Sequence, residues 1–200
     1  MQIAKIVSGG QTGVDRGALE AALELGFPYG GMIPKERLAE DGIVPEKFDR
    51  MEESTRKDYL YRTEWNVVHS DATLVLAFGT KLTGGTKRTV EFCKKHGKPY
   101  WVEDLNAPKE TDRGPEVLYW LEALGGSIIL NVAGPRESKS SGIQQTTREY
   151  VKELIGVCGN THGDVGKKGL AICSEQMYAG AVGARCRTLR ASSRDLRARA

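Results

Sequence analysis

Ile3-Ala4-Lys5-Ile6-Val7-Ser8-Gly9-Gly10-Gln11-Thr12-Gly13-Val14-Asp15-Arg16-Gly17-Ala18 is the stretch that decides the fold class. An apolar run of strand length passes directly into a glycine-rich turn. The turn opens a segment in which Val14, Ala18, Ala21, Ala22 and Leu25 recur on one helical face. Strand, tight turn and amphipathic helix form the first half of a βαβ unit. The alternation then repeats. Strand-like runs occur at 29–33, 72–78, 100–103 and 127–133, each bounded by Gly, Pro or Asn. Helical spacing occurs at 56–70, 86–95, 117–124 and 143–154, the second of these stopping at Gly97 before Pro99. Only 34–49 reads as a long loop. This pattern predicts an α/β protein: an open parallel sheet of about five or more strands with helices on both faces.

Composition agrees with a chain that buries a core. The 200 residues are 40% hydrophobic and 28% charged, as expected for one domain of ordinary size. No run of about 18 apolar residues is present, so no membrane span is expected. The first residues show no signal-peptide pattern, and Cys93, Cys158, Cys173 and Cys186 show no C-x-x-C spacing. Reduced thiols and a cytoplasmic location are the expectation.

Charge divides the chain. Residues 156–200 hold eight Lys/Arg and three Asp/Glu, whereas residues 1–155 hold 21 and 23, so the formal net charge of +3 belongs to the C-terminal part. Helical periodicity is lost there and Gly, Ser and Arg dominate. The expected organisation is a ligand-binding domain over 1–155 and a basic, disordered tail over 156–200. Tyr178 is the tail's one aromatic residue, so bases would find little to stack on, and nucleic acid is not expected as a partner.

In an open α/β sheet ligands bind beyond the carboxyl ends of strands, which directs attention to three loops. The first, Ser8-Gly9-Gly10-Gln11-Thr12-Gly13, brings backbone N–H groups and a positive helix end to one point, an arrangement suited to an anion. Its S-x-G-x-x-G spacing lacks one glycine of the dinucleotide fingerprint. The second strand leads to Ile33-Pro34-Lys35 rather than to an acidic residue, which disfavours NAD. Asp15 reads as the helix N-cap. The second loop, Gly79-Thr80-Lys81-Leu82-Thr83-Gly84-Gly85-Thr86, again opens a helix and offers a second set of backbone donors. The third contains Gly134-Pro135-Arg136, and Arg136 is suited to clamp a phosphate or carboxylate. Arg62 and Asn66 share a helical face, which helps only if that face looks into the cleft. Lys35, Arg37, Glu40 and Asp41 form a mixed-charge set able to cover a ligand or to stay solvated.

Other chemistries lack their residues. His69, His96 and His162 are scattered without carboxylates at ligand spacing, so no protein-ligated metal is expected. There is no G-x-S-x-G elbow, and Cys93 reads as a core residue.

The ordered series Ser8-Gly9-Gly10-Gln11-Thr12-Gly13-Val14-Asp15-Arg16-Gly17-Ala18-Leu19, Ile33-Pro34-Lys35, Ala39-Glu40-Asp41-Gly42, Tyr61-Arg62-Thr63, Ser70-Asp71-Ala72-Thr73-Leu74, Gly84-Gly85-Thr86 and Leu130-Asn131-Val132-Ala133-Gly134-Pro135-Arg136-Glu137-Ser138 resembles the molybdenum (cofactor) carrier proteins. These are a circularly permuted YpsA-like branch of the SLOG superfamily, related to the Lonely-Guy and lysine-decarboxylase-like proteins. The resemblance spans about residues 3–155. It implies a Rossmann-like fold, a homo-oligomer, and binding of a phosphorylated heterocyclic small molecule, with the molybdenum cofactor (molybdopterin) as ligand. The candidate ligand-binding residues, read from these strand-end loops, are Ser8, Gly9, Gly10, Gln11, Thr12, Gly13, Lys35, Thr83, Gly84, Gly85, Thr86, Gly134 and Arg136.

The hydrolase relatives carry G-G-x-G-T-x-x-E, and the corresponding run here is Gly84-Gly85-Thr86-Lys87-Arg88-Thr89-Val90-Glu91. The glycine pair and Glu91 match. Lys87 replaces the third glycine and Arg88 the threonine. A nucleotide phosphoribohydrolase using Glu91 with Arg88 or Arg136 is the alternative, and a nucleotide sensor is a third reading. Lys87 and Arg88 lie four and three residues before Glu91, ready to pair with it on a helix and blunt it as an acid.

Overall fold

A computed structural model describes residues 1–106 and 114–158. The expected basic tail beyond Cys158 lies outside the described residues. In chain order the elements are β1 (Gln2–Val7), α1 (Val14–Glu24), β2 (Tyr29–Ile33), β3 (Leu38–Ala39), β4 (Gly42–Ile43), β5 (Met51–Glu53), α2 (Tyr59–Val68), β6 (Ala72–Ala77), α3 (Gly84–Lys95), β7 (Tyr100–Asp104), α4 (Gly114–Leu124), β8 (Ser127–Ala133) and α5 (Ile143–Cys158).

Six strands form one sheet in the order β5-β2-β1-β8-β6-β7, and every pairing is parallel. Ile6 lies opposite Tyr29 on one side and Leu130 on the other, so β1 and β8 occupy the middle. All six residues of β6 are buried. Because successive side chains point to opposite faces, the sheet is covered on both sides, which explains why 72–77 reads as an apolar run interrupted only by Thr73. Ile3, Ile6, Ile33, Leu74, Leu76 and Leu130 from the strands meet Val14, Leu121, Ile143 and Ile155 from the helices in one core. α1 packs on α5, and α2 on α3.

β2 reads weakly as a strand because two of its five residues are glycine. At Gly31 the backbone has φ +125°, and an added Cβ would stand 2.2 Å from the Ser8 carbonyl oxygen. The residue that weakens the sequence signal is what lets β2 lie against the end of β1.

Three boundaries differ from the sequence expectation. β5, Met-Glu-Glu, is a three-residue edge strand with two exposed glutamates and has too little apolar character to be recognised. The expected long loop over 34–49 contains a small antiparallel hairpin, with Leu38 opposite Ile43 and Ala39 opposite Gly42. Arg37 organises its return: its guanidinium donates to the carbonyls of Val44 (3.0 Å), Pro45 (3.0 Å) and Phe48 (3.2 Å). Val44 and Phe48 are thereby buried completely. Finally, α5 continues through Gly156 to Cys158, three residues past the expected end of the domain.

Candidate functional site

The chain leaves β1 toward β2 on one side of the sheet and leaves β6 toward β7 on the other, with β8 between them. Loops that depart in opposite directions leave a crevice at the carboxyl edge. A cleft of about 280 Å³ lies there. Its walls are Gly9, Gln11 and Asp15 after β1, the first turns of α2, residues 83–86 with Thr89 at the start of α3, and Asn131, Ala133, Gly134, Pro135, Arg136 and Lys139 at and beyond the end of β8. The first and second glycine loops therefore line the same cleft.

α2 begins at Tyr59 because Asp58 accepts a hydrogen bond from the Leu60 N–H (2.8 Å), a side-chain cap on an otherwise unsatisfied donor. This start turns Tyr59, Leu60, Arg62, Thr63 and Asn66 toward the cleft. Asn66 fixes the helix to the sheet: it accepts from the Met32 N–H (2.8 Å) and donates to the Met32 carbonyl (3.1 Å). Arg62 donates from Nη1 to Asp15 Oδ2 at 2.8 Å, and both side chains are nearly enclosed. Gly9 makes room for the pair, since a Cβ there would sit 1.2 Å from Arg62 Nη1. Asp15 is not the helix cap expected from the sequence. Gly13 holds that position, and Asp15 lies in the first turn, where the helix end favours a carboxylate and Arg62 neutralises it.

The two helix starts at the cleft differ. At α1 three donors entering the helix are occupied: Thr12 N–H donates to Gln11 Oε1 (3.0 Å), Gly13 N–H to Gln144 Oε1 (3.1 Å), and Val14 N–H to the Pro135 carbonyl (3.2 Å). At α3, Thr83 makes no side-chain capping bond, and residues 83–86 all face the cleft. The positive end of this 12-residue helix is thus presented to whatever enters. Cations add to it unevenly. Arg62 is paired with Asp15. Arg136 rests over the Tyr59 ring (5.1 Å to the centroid), and Lys139 lines the same wall. Among the described residues neither Arg136 nor Lys139 forms a salt bridge, although Arg136 lies close enough to Glu40 to act on its charge, so two cations flank a helix start whose N-cap side chain makes no capping bond.

The remaining sequence-selected residues have other surroundings. Ser8 is buried and donates from its hydroxyl to the Val132 carbonyl (2.7 Å), joining β1 to β8. Gly10 packs toward Ile33 and Val44, beneath the loop that follows the hairpin. Thr12 donates to Glu40. Lys35 is exposed and outside the cleft wall. Gly134 lines the cleft where β8 ends. The mixed-charge set belongs to the hairpin: Asp41 pairs with Arg16, and Glu40 also accepts from Ser138 Oγ (2.6 Å). Arg16 holds the Asp41 carboxyl below its usual range. Partial burial works against the charge of Glu40, but hydrogen bonds from Ser138 and Thr12 and the nearby Arg136 outweigh it and hold that carboxyl low as well.

Glu91 pairs with Arg88 at 2.8 Å and with Lys87 at 3.8 Å, the i−3 and i−4 contacts expected on a helix. None of the three lines the cleft. Cys93 is fully buried, and burial pushes its thiol up. Among the described residues no group of three or more His, Cys, Asp or Glu could hold a metal ion, and no helix is long and apolar enough to cross a membrane.

The model of the circularly permutated YpsA SLOG family matches residues 6–155. The chain belongs to this family. A solved structure similar to this SLOG protein is that of "Putative molybdenum carrier protein" from Syntrophus aciditrophicus SB. It is 41% identical, with a TM-score of 0.71, over 76% of this chain and 94% of that one. No curated protein matches the chain. The six-stranded parallel sheet is the α/β Rossmann-like architecture expected from the sequence, and family membership supports a ligand-binding role for this SLOG protein.

Tyr59, Leu60, Thr89 and Lys139 are cleft residues that sequence reasoning did not select. For Tyr59 and Leu60 a signal existed in the Asp58 cap, which sets where the helix starts and hence which way its first turn faces. Lys139 carries no such signal, because its place depends on how the chain turns after Arg136.

Proposed function

We propose that the cleft binds a phosphorylated heterocyclic small molecule and retains it without cleaving it. The phosphate would lie at the start of α3, on the N–H groups of residues 84–86, with Arg136 and Lys139 at its flank. The observation that carries this reading is the coincidence of a helix start without a side-chain cap with two cations that form no salt bridge among the described residues. A ring would extend along Tyr59 and the polar groups of Gln11 and Asn131. The name of the similar carrier protein points to a molybdenum-related cargo, which we take to be the molybdenum cofactor. A pterin phosphate suits this donor set, and its own dithiolene binds the metal, so the chain need supply no metal ligand.

Retention without cleavage follows from Glu91, whose carboxylate is turned to Arg88 and Lys87 outside the cleft wall. A glycosidic acid must reach the scissile bond.

Titration calorimetry with GMP and with guanosine tests the reading. GMP should bind and guanosine should bind at least about tenfold more weakly. Arg136→Ala should reduce GMP affinity about ten- to a hundredfold, as for loss of a charge-assisted hydrogen bond, and leave guanosine unchanged. Equal affinities for GMP and guanosine would overturn it. So would release of free guanine by the wild type that disappears in Glu91→Gln.

A further inference from the structure

Gln11 lies in the cleft wall and is only 4% exposed, yet its amide is half used. Oε1 accepts two backbone hydrogen bonds, from Thr12 N–H (3.0 Å) and from Glu40 N–H (2.8 Å). Nε2 is buried and has no partner among the described residues. The amide's orientation is fixed by this network: turning it over would place an NH2 group against two N–H donors and lose both bonds. This cleft-lining residue therefore carries a buried donor that cannot become an acceptor. A buried polar group without a partner is costly, and nothing within the described fold relieves it.

We propose that Gln11 is a specificity-determining residue that donates from Nε2 to the ring of the bound molecule, favouring a ring with an oxo group at that position over one with an amino group. This rests on the reading that the cleft takes a phosphorylated heterocycle, and it adds which ring chemistry the cleft accepts. An oxo oxygen satisfies Nε2. An amino group leaves two donors facing each other, with neither relieved. Because Nε2 is closed to bulk water, reaching it requires a neighbouring side chain to shift while the two Oε1 bonds keep the Gln11 amide in place, a rearrangement of the kind common at binding sites. Discrimination at such a site is large because the wrong ring leaves a buried group unpaired. The same amide grips the tip of the hairpin through the Glu40 N–H, so the residue that reads the ring also anchors the hairpin.

The test compares IMP with AMP, which share ribose and 5′-phosphate and differ in 6-oxo against 6-amino. Titration of the wild type should give IMP a preference of roughly ten- to a hundredfold. In Gln11→Glu the second carboxylate oxygen replaces the NH2 group, and the preference should disappear or invert toward AMP. Gln11→Met, which has neither donor nor acceptor at that end, should bind the two within about threefold. Wild-type affinities for IMP and AMP within about twofold would overturn the proposal while leaving phosphate binding intact, and so would a preference that survives in Gln11→Glu. Binding of neither monophosphate would overturn the phosphorylated-ligand reading and this proposal with it. The wild-type ratio is decisive even if a variant does not fold.

Discussion

Arg62→Met lowers the stability of the protein by about 3–5 kcal/mol near neutral pH, the usual cost of stripping one member from a buried ion pair. Methionine preserves much of the length and apolar surface of the arginine stem, so little of this loss comes from packing. It comes from Asp15, which is 4% exposed and accepts from Arg62 Nη1 at 2.8 Å. Without the guanidinium the Asp15 carboxylate stays nearly enclosed at the cleft wall and loses its salt-bridge partner, with the helix end left to offset it. The melting temperature should fall by about 6–20 °C for a domain of this size. The second half of the cycle separates charge from packing: Asp15→Asn combined with Arg62→Met should recover most of the loss, because the unpaired charge is gone. A shift under about 2 °C for Arg62→Met, or a double variant no better than the single one, would show that the pair does not hold α2 against α1.

Gly134→Ala should destabilise the fold by about 1–3 kcal/mol and at the same time weaken binding at the cleft. An added Cβ would stand 2.3 Å from the carbonyl oxygen of Leu76 and 2.5 Å from Cγ2 of Val14. The first is backbone of β6 and the second is a fully buried branched side chain, so neither can swing aside as the end of a lysine could. Relief must come from the loop after β8, which carries Arg136 and Lys139 into the cleft. Stability and affinity for a phosphorylated ligand should therefore fall together, whereas Arg136→Ala should lower affinity alone. Denaturation and titration on the two variants check this. A Gly134→Ala protein with unchanged melting temperature would mean that β6, β8 and α1 are not packed as closely as described.

The sequence made the sheet legible wherever burial was complete. β6 is covered on both faces and reads as an apolar run interrupted only by Thr73, and α1 is legible from Val14, Ala18, Ala21 and Ala22, although Leu25, which shares their spacing, is exposed and Asp15 and Arg16 are buried with them. Legibility failed where structure depends on partners distant in the chain. β5 has too little apolar surface to stand out, and the 38–43 hairpin is held by Arg16, Gln11 and Thr12 rather than by its own pattern. The same contrast holds at the cleft. The pairing of Glu91 with Arg88 and Lys87 was readable because helical spacing alone brings them together. That Asp15 would meet Arg62, 47 residues away, was not. Nor was it readable that Gln144, 131 residues after Gly13, would take the N–H expected to face a ligand. A glycine-rich strand-to-helix turn announces donors, but only the fold decides which of them are already occupied.

The most direct measurement is native mass spectrometry of the protein purified from its own cells, followed by identification of whatever small molecule is released on denaturation. The expected result is one phosphorylated heterocycle per chain in the wild type, with occupancy reduced in Arg136→Ala. A wild-type protein that carries no small molecule, or one whose bound molecule has no phosphate, would contradict the assignment of the cleft.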